Sequence, residues 1–224
     1  MAARTIRISV LVTAGALVAA LAIASGCSPK TGTAPTSPPE SSVVGLSGTE
    51  AVAKARLAIP EANRDDWKLA YLSNTGVTQS IGAEGIDSIE QALMNADGVA
   101  GQWIVEFYKD EPTAVEEGDR KGVRYPFVAV SVTAKQSDPS EYEGGLGVPS
   151  KLAPLPEQDV TALGAAYKLA KDSVDVEYDF ASASSDVRSD GTVTWRFRFY
   201  KRGADDIVAK VAVSGSGSKL VPWE

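Results

Sequence analysis

The chain has no histidine and a single cysteine, Cys27, among its 224 residues. The missing imidazole excludes serine–histidine and cysteine–histidine nucleophiles and histidine-ligated zinc. With only one thiol, the chain cannot form an internal disulfide or a multi-thiolate metal site. The chemistry that stays open is that of carboxylates, serine–lysine pairs and calcium.

Basic side chains are also scarce relative to acids. There are 22 Lys and Arg against 29 Asp and Glu, which gives a formal net charge of -7. Nucleic acid is therefore disfavoured as a partner, because phosphates are bound by basic surfaces. Adsorption of the protein surface to an anionic bilayer is disfavoured for the same reason. We expect no nucleic-acid partner, no cofactor and no metal.

The N-terminus, by contrast, carries the pattern of a secretion signal. Arg4 and Arg7 precede a low-polarity run from Ile8 to Ile23, and three small residues then lead to Cys27. This order is typical of a signal peptide with a small-residue cleavage site. The run of 16 residues is shorter than the roughly 20 that a membrane-spanning helix needs. Removal of residues 1–26 would take the net charge from -7 to -9.

The cysteine after the small residues resembles the lipobox of bacterial lipoproteins. Ser25, Gly26 and Cys27 follow the pattern, whereas Ala24 stands where most lipoboxes have leucine. The resemblance implies that Cys27 receives a diacylglyceryl group and becomes the new N-terminus. The protein would then be anchored to a membrane by lipid, outside the cytoplasm. Residues 27–46, rich in Pro, Ser and Thr, predict a disordered tether between lipid and fold.

The rest of the chain predicts helices and strands in a repeated order. Ser47 with Glu50 has the spacing of a capping box, and Pro60 should end the helix that follows. A second helix is predicted from Asp159, as its cap, to Lys171. Strands are predicted where apolar residues alternate, at 67–73, 103–110, 127–133, 176–182, 195–202 and 207–214.

Two octapeptides indicate an internal duplication. WIVEFYKD (103–110) and WRFRFYKR (195–202) share Trp, Phe, Tyr and Lys at equal spacing, 92 residues apart. Together with the repeated element order, they predict an α+β fold of two tandem αβββ units, residues 47–135 and 157–224. Each unit would pack a helix on a three- or four-stranded antiparallel sheet. The Gly- and Pro-rich stretch 136–156 is predicted to be a linker or a long surface crossing.

The first unit has two insertions relative to the second. Residues 87–95 predict a short helix, and residues 111–122 predict an extended hairpin loop. The αβββ order with an aromatic, valine-rich middle strand resembles PepSY and PepSY-like domains of bacterial envelope proteins. That resemblance implies domains that bind or inhibit partner proteins, including peptidases, and it transfers no catalytic residue.

The best candidate contact is a basic stripe in the second unit. Arg196 and Arg198 alternate with Phe197 and Phe199, so both arginines should lie on one sheet face. They could anchor an acidic partner, since arginine and aromatics are enriched at interface anchors. The alternative is an ordinary solvated face.

The insertion loop is the next candidate, through Glu116, Glu117 and Asp119. Together with Asp110 and Glu111, these acids could bind calcium. Their spacing is not that of an EF-hand, however, and Arg120 and Lys121 follow at once. A solvated loop whose charges pair with one another is the preferred interpretation.

The sequence therefore predicts a non-catalytic, lipid-anchored envelope protein that binds or regulates a protein partner. One alternative is an extracytoplasmic hydrolase that uses carboxylates alone, for which Asp65-Asp66 and Asp205-Asp206 are the adjacent acids. The other alternative is a purely structural envelope lipoprotein.

Overall fold

The computed structural model describes part of the chain, namely residues 45–74, 93–117, 120–144, 151–201 and 207–223. Cys27, all of the predicted tether except residues 45 and 46, Asp119 and most of the helix predicted at 87–95 lie outside these ranges. None of the helices within them has the length and apolarity needed to cross a bilayer.

The first helix, α1 (Gly48–Ala58), begins at the predicted capping box. The Ser47 hydroxyl accepts from the Glu50 backbone N–H at 3.3 Å, and the Glu50 carboxylate accepts from the Ser47 N–H at 2.8 Å. These bonds satisfy two backbone donors that a helix start would otherwise leave unpaired. The helix ends before Pro60, and a 3₁₀-helix (Glu61–Asp66) follows.

The second helix, α2 (Glu157–Asp172), begins two residues earlier than the sequence predicted. Its N-cap is Pro156, without a side-chain cap bond, so the prediction of Asp159 as the cap is wrong. Asp159 lies in the first turn instead. An acid there still interacts favourably with the positive end of the helix dipole.

The strands form one large antiparallel sheet and one hairpin. The sheet order is β10-β9-β8-β7-β1-β2-β5-β6, and β3 pairs with β4 alone. The chain is thus a mixed α+β fold, with two described α-helices and an eight-stranded sheet. The strands are β1 (Trp67–Ser73), β2 (Gln102–Lys109), β3 (Thr113–Glu117), β4 (Arg120–Arg124), β5 (Pro126–Thr133), β6 (Ser137–Glu143), β7 (Phe180–Val187), β8 (Val193–Tyr200), β9 (Ile207–Ser214) and β10 (Leu220–Val221).

Strands from the two halves of the chain share this sheet, whereas the sequence had predicted a small sheet for each half. The join is between β1 and β7, where Ser73 is paired with Ser184. Beyond it, the Asn74 N–H donates to the Ala183 carbonyl at 3.1 Å, and the Ala183 N–H donates to Asn74 Oδ1 at 2.6 Å. Separate sheets would leave these backbone groups on open edges.

Two further boundaries differ from the sequence prediction. Strand β7 begins at Phe180, so residues 176–179 are not strand; Tyr178 instead packs edge-on against Phe199, 4.7 Å between ring centroids. The predicted linker 136–156 contains the edge strand β6. Its side chains are almost all exposed, so no burial pattern marks it in the sequence.

The core lies between the sheet and the two helices. Helix α1 packs on β2, β5 and β6, α2 packs on β8 and β9, and the helices touch each other. Trp103 and Trp195 are fully buried in this core. Each indole N–H donates to a backbone carbonyl, Leu46 at 2.8 Å and Gly215 at 3.2 Å respectively. The sheet surface opposite the helices is called the outer face below.

Candidate binding surface on the outer face

Alternation along β8 separates core side chains from outer-face side chains. Trp195, Phe197 and Phe199 are fully buried towards the helices. Arg196 and Arg198 fall between them and are half-buried on the outer face. The predicted placement of both arginines on one sheet face follows from this register.

A third cation joins them from the neighbouring strand. Lys210 of β9 is directly opposite Arg198, so the two side chains share the outer face. Lys210 is exposed. Arg196, Arg198 and Lys210 are called the cationic cluster below. The sequence did not single out Lys210, because the register between β8 and β9 cannot be read from either strand alone.

Arg196 has a carboxylate partner within the sheet. Its guanidinium lies 2.7 Å from the Asp186 carboxylate on β7, and both side chains are about a third exposed, at 29% and 35%. Among the described residues, no carboxylate forms an ion pair with Arg198 or Lys210. The cluster therefore keeps an excess of positive charge, in a chain whose formal net charge is -7.

Trp223 covers part of this cluster. Its ring lies 5.9 Å from the Arg196 guanidinium carbon and 5.5 Å from that of Arg198. These distances are within cation–π range, an interaction of about 0.5–1 kcal/mol at exposed sites. The preceding Pro222 has no backbone N–H and follows the last residue of β10. The ring adds a flat apolar surface beside the two arginines.

The other half of the outer face carries an acid, Glu106. Glu106 lies on β2 and is flanked by Tyr142 from β6, whose ring stacks on Phe127 at 5.3 Å. Burial raises the pKa of the Glu106 carboxyl, and the hydrogen bond donated by the Tyr142 hydroxyl lowers that pKa in part. Burial and the nearby Glu106 raise the pKa of the Tyr142 phenol.

The predicted insertion loop is the β3–β4 hairpin. Glu116 is opposite Lys121 in the hairpin register, and their charged atoms are 2.9 Å apart with both side chains largely exposed. Glu117 is opposite Arg120, and Asp119 lies outside the described residues. No group of three or more metal-ligating side chains is found in the described part of the chain.

The adjacent acids considered for hydrolysis do not belong to the outer-face groups described above. Asp65 and Asp66 are exposed at the end of the 3₁₀-helix. Asp205 and Asp206 lie outside the described residues. A carboxylate pair for glycoside chemistry needs one acid with a raised pKa beside an ionised one. The described outer-face carboxyl with a raised pKa, Glu106, is flanked by tyrosine rather than by a second acid.

Comparison of this chain with known protein families, with curated proteins and with solved structures gives no match. The resemblance to PepSY-like domains stays a prediction.

Proposed function

We propose that this chain is a lipid-anchored envelope protein that binds a protein partner and catalyses no reaction. The observation that carries the proposal is the cationic cluster on the outer face. Two arginines and a lysine lie together there in an acidic protein, and two of the three have no described ion-pair partner. Diacylglyceryl attachment at Cys27 and an extracytoplasmic location complete the proposal.

The side chains of the cluster suit a protein contact better than a solvated surface. Arginine and tryptophan are the residue types most enriched among interface residues that carry binding energy. Arg196, Arg198 and Trp223 are already held against one another, and Arg196 is also held by Asp186. A partner would therefore meet a partly ordered surface and lose less side-chain entropy on binding. Acidic groups on the partner would match the charge of the cluster.

We also propose that the two halves are duplicated αβββ units related by a twofold pseudo-symmetry. The 92-residue spacing of the octapeptides makes Ile104 equivalent to Arg196. Ser73 pairs with Ile104, Ser184 pairs with Arg196, and the two serines pair with each other. This is the register that a twofold centre between β1 and β7 would produce.

The same register changes one detail of the proposed alignment. Alignment by alternation alone, with Trp67, Leu69 and Tyr71 against Val176, Tyr178 and Phe180, would match Tyr71 with Phe180. Tyr71 pairs with Glu106, and Ser182 pairs with Arg198, so Tyr71 corresponds to Ser182. Glu106 and Arg198 then occupy equivalent outer-face positions with opposite charges. The second unit would have become the cationic one, which supports a binding role specific to that half.

Photo-crosslinking in intact cells tests the proposal. Benzoylphenylalanine in place of Tyr200, an outer-face aromatic of β8, should yield one crosslinked protein in saturable amount. The same group in place of Leu57, which is 70% exposed on α1, should not yield that product. Arg196→Gln combined with Arg198→Gln should weaken the Tyr200 crosslink. Lys135→Gln combined with Lys151→Gln removes the same charge from exposed positions elsewhere and should leave it unchanged.

Two results would contradict the proposal. Equal crosslinking from Tyr200 and Leu57 would indicate random collision and favour the structural lipoprotein. Hydrolysis of an envelope substrate that is abolished by one carboxylate substitution would establish the hydrolase instead.

A further inference from the structure

The two edges of the large sheet differ in how they resist pairing with another chain. Strand β6, at one edge, contains Pro139 and the exposed acids Asp138, Glu141 and Glu143. Proline and charge are the usual features that keep an edge strand from pairing. Strand β9, near the other edge, is apolar apart from Lys210 and Ser214. Among the described strands, β10 is the one that lies beside its outer edge.

Strand β10 covers only a small part of β9. Leu220 and Val221 pair with Val213 and Ala212, and β10 ends there. Pro222 follows, and the Trp223 ring lies against the two arginines. Within the described ranges, residues 207–211 of β9 have no strand on their outer side.

Backbone hydrogen bonds show which groups this edge presents. The Gly215 N–H donates to the Val193 carbonyl of β8 at 2.8 Å, and the Ser214 N–H donates outward to the Lys219 carbonyl at 2.9 Å. Inward and outward bonding alternates along an antiparallel strand. Lys210 is four residues before Ser214, so its N–H and C=O also point outward, away from β8. An added strand would bond to them.

The side chains around Lys210 define what that strand should carry. A residue opposite Lys210 would have its side chain on the outer face, beside Lys210 and close to Arg198, where an acid is favoured. Its two neighbours would point to the helix side, next to Ala209 and Val211. Those residues are partly buried against the core, and apolar neighbours would extend it.

We propose that β9 accepts an extended segment of the partner as an added antiparallel strand, with an acidic residue between two apolar ones. The inference rests on the proposed function and names the class of partner segment. Main-chain hydrogen bonds would supply affinity, and the alternating side chains would supply specificity.

The charge of Lys210 argues against a second copy of this chain as the occupant. Antiparallel pairing of β9 with its own copy, centred on this residue, would place two lysines directly opposite each other. Like charges in that position destabilise a strand pair. An acidic segment removes this repulsion, and it also offsets the cross-strand repulsion between Lys210 and Arg198.

Peptide binding to the full lipidated chain in detergent tests the proposal. The probe is a fluorescent Val-Glu-Val-Thr-Thr peptide, whose residues fall opposite 211 to 207 when Glu lies opposite Lys210, and its control carries Lys in place of Glu. The Lys peptide should bind at least tenfold more weakly. Lys210→Gln keeps the backbone N–H of residue 210 and should weaken binding of the Glu peptide about two- to fivefold. Lys210→Pro removes this N–H as well and should weaken binding of the Glu peptide at least tenfold.

Glu141→Pro is the matched control, because it places proline on the opposite edge strand. The Thr133 N–H donates to the Gln136 carbonyl, and alternation from that pair leaves the Glu141 N–H outward, like that of Lys210. Neither proline removes a ladder bond, so both variants should fold. Circular dichroism of both checks this.

Four outcomes would overturn the inference. The first two are no binding of the Glu peptide up to about 1 mM and equal binding of the two peptides. The other two are an equal loss of Glu-peptide binding in Lys210→Pro and Glu141→Pro, and a dimer of the chain that Lys210→Pro dissociates.

The crosslink at Tyr200 separates this inference from the proposed function. If Lys210→Pro keeps that crosslink and the arginine variant loses it, the partner binds the outer face without adding a strand. If neither variant changes the crosslink, both proposals fail.

Discussion

Changing Trp195 to alanine should destabilise the protein by about 3–5 kcal/mol, the usual cost of truncating a buried aromatic side chain. The Trp195 indole is fully buried between the sheet and the helices. Its N–H donates to the Gly215 carbonyl at 3.2 Å, and Gly215 is itself buried. The substitution leaves a cavity and removes the donor of that carbonyl, so the cost should fall in the upper half of the range.

Urea unfolding followed by far-ultraviolet circular dichroism measures this cost, with a chain that begins at Ser28 and carries no lipid. In a thermal scan of the same chain, each kcal/mol of destabilisation lowers Tm by about 2–4 °C. The loss of about 3–5 kcal/mol should therefore lower Tm by about 6–20 °C. Trp195→Phe keeps most of the ring volume and loses the donor, and it should cost about 1–3 kcal/mol. Trp103→Ala should resemble Trp195→Ala, because Trp103 is equally buried and also donates to a backbone carbonyl.

Leu57→Ala is the control, since this α1 side chain is 70% exposed. It should change the free energy of unfolding by no more than about 0.5 kcal/mol. A loss of less than about 1 kcal/mol for Trp195→Ala would refute the placement of this residue in the core. A large loss of stability for Leu57→Ala would refute the exposed position of this side chain on α1.

Three further predictions concern other parts of the chain. Cys27→Ala should move the protein out of the membrane fraction or stall it as a precursor; unchanged partition, with Met1 still present in the wild type, would contradict lipidation. Burial raises the folded-state pKa of Glu106, so stability should fall as pH rises from the unfolded carboxyl pKa through the folded one. Glu106→Gln should therefore stabilise the protein at neutral pH and lose that advantage at acidic pH in urea titrations, whereas a pH-independent difference would contradict it. Gly191 has φ +85 and open space where a Cβ would lie, so Gly191→Ala should cost about 1–2 kcal/mol by thermal unfolding from backbone strain alone, and no loss of stability would contradict that.

Local patterns predicted the local structure well. The Ser47–Glu50 capping box forms as predicted. Ser189-Asp190-Gly191-Thr192, a pattern typical of a hairpin turn, joins β7 to β8, with the Asp190 carboxylate accepting from the Thr192 N–H at 2.8 Å. Such features depend on residues within a few positions of one another. They need no knowledge of the rest of the fold.

Long-range pairing was the part that the sequence did not predict. A β-bulge between Leu69 and Tyr71 turns Tyr71 away from the face that Leu69 occupies. Simple alternation had placed both residues on one face. The pairing of β1 with β7 and of Arg198 with Lys210 likewise depends on register between strands. No local periodicity encodes that register, so the arginines were predicted as a candidate site and Lys210 was not.

The most direct test of the central claim is the affinity of the protein crosslinked from Tyr200, measured with purified components. The account predicts saturable binding that Arg196→Gln with Arg198→Gln weakens at least tenfold, and that Lys135→Gln with Lys151→Gln leaves unchanged. Binding of the wild type should also weaken as salt increases, since the contact is between opposite charges. Equal affinity for both double variants would contradict a partner site at the cationic cluster.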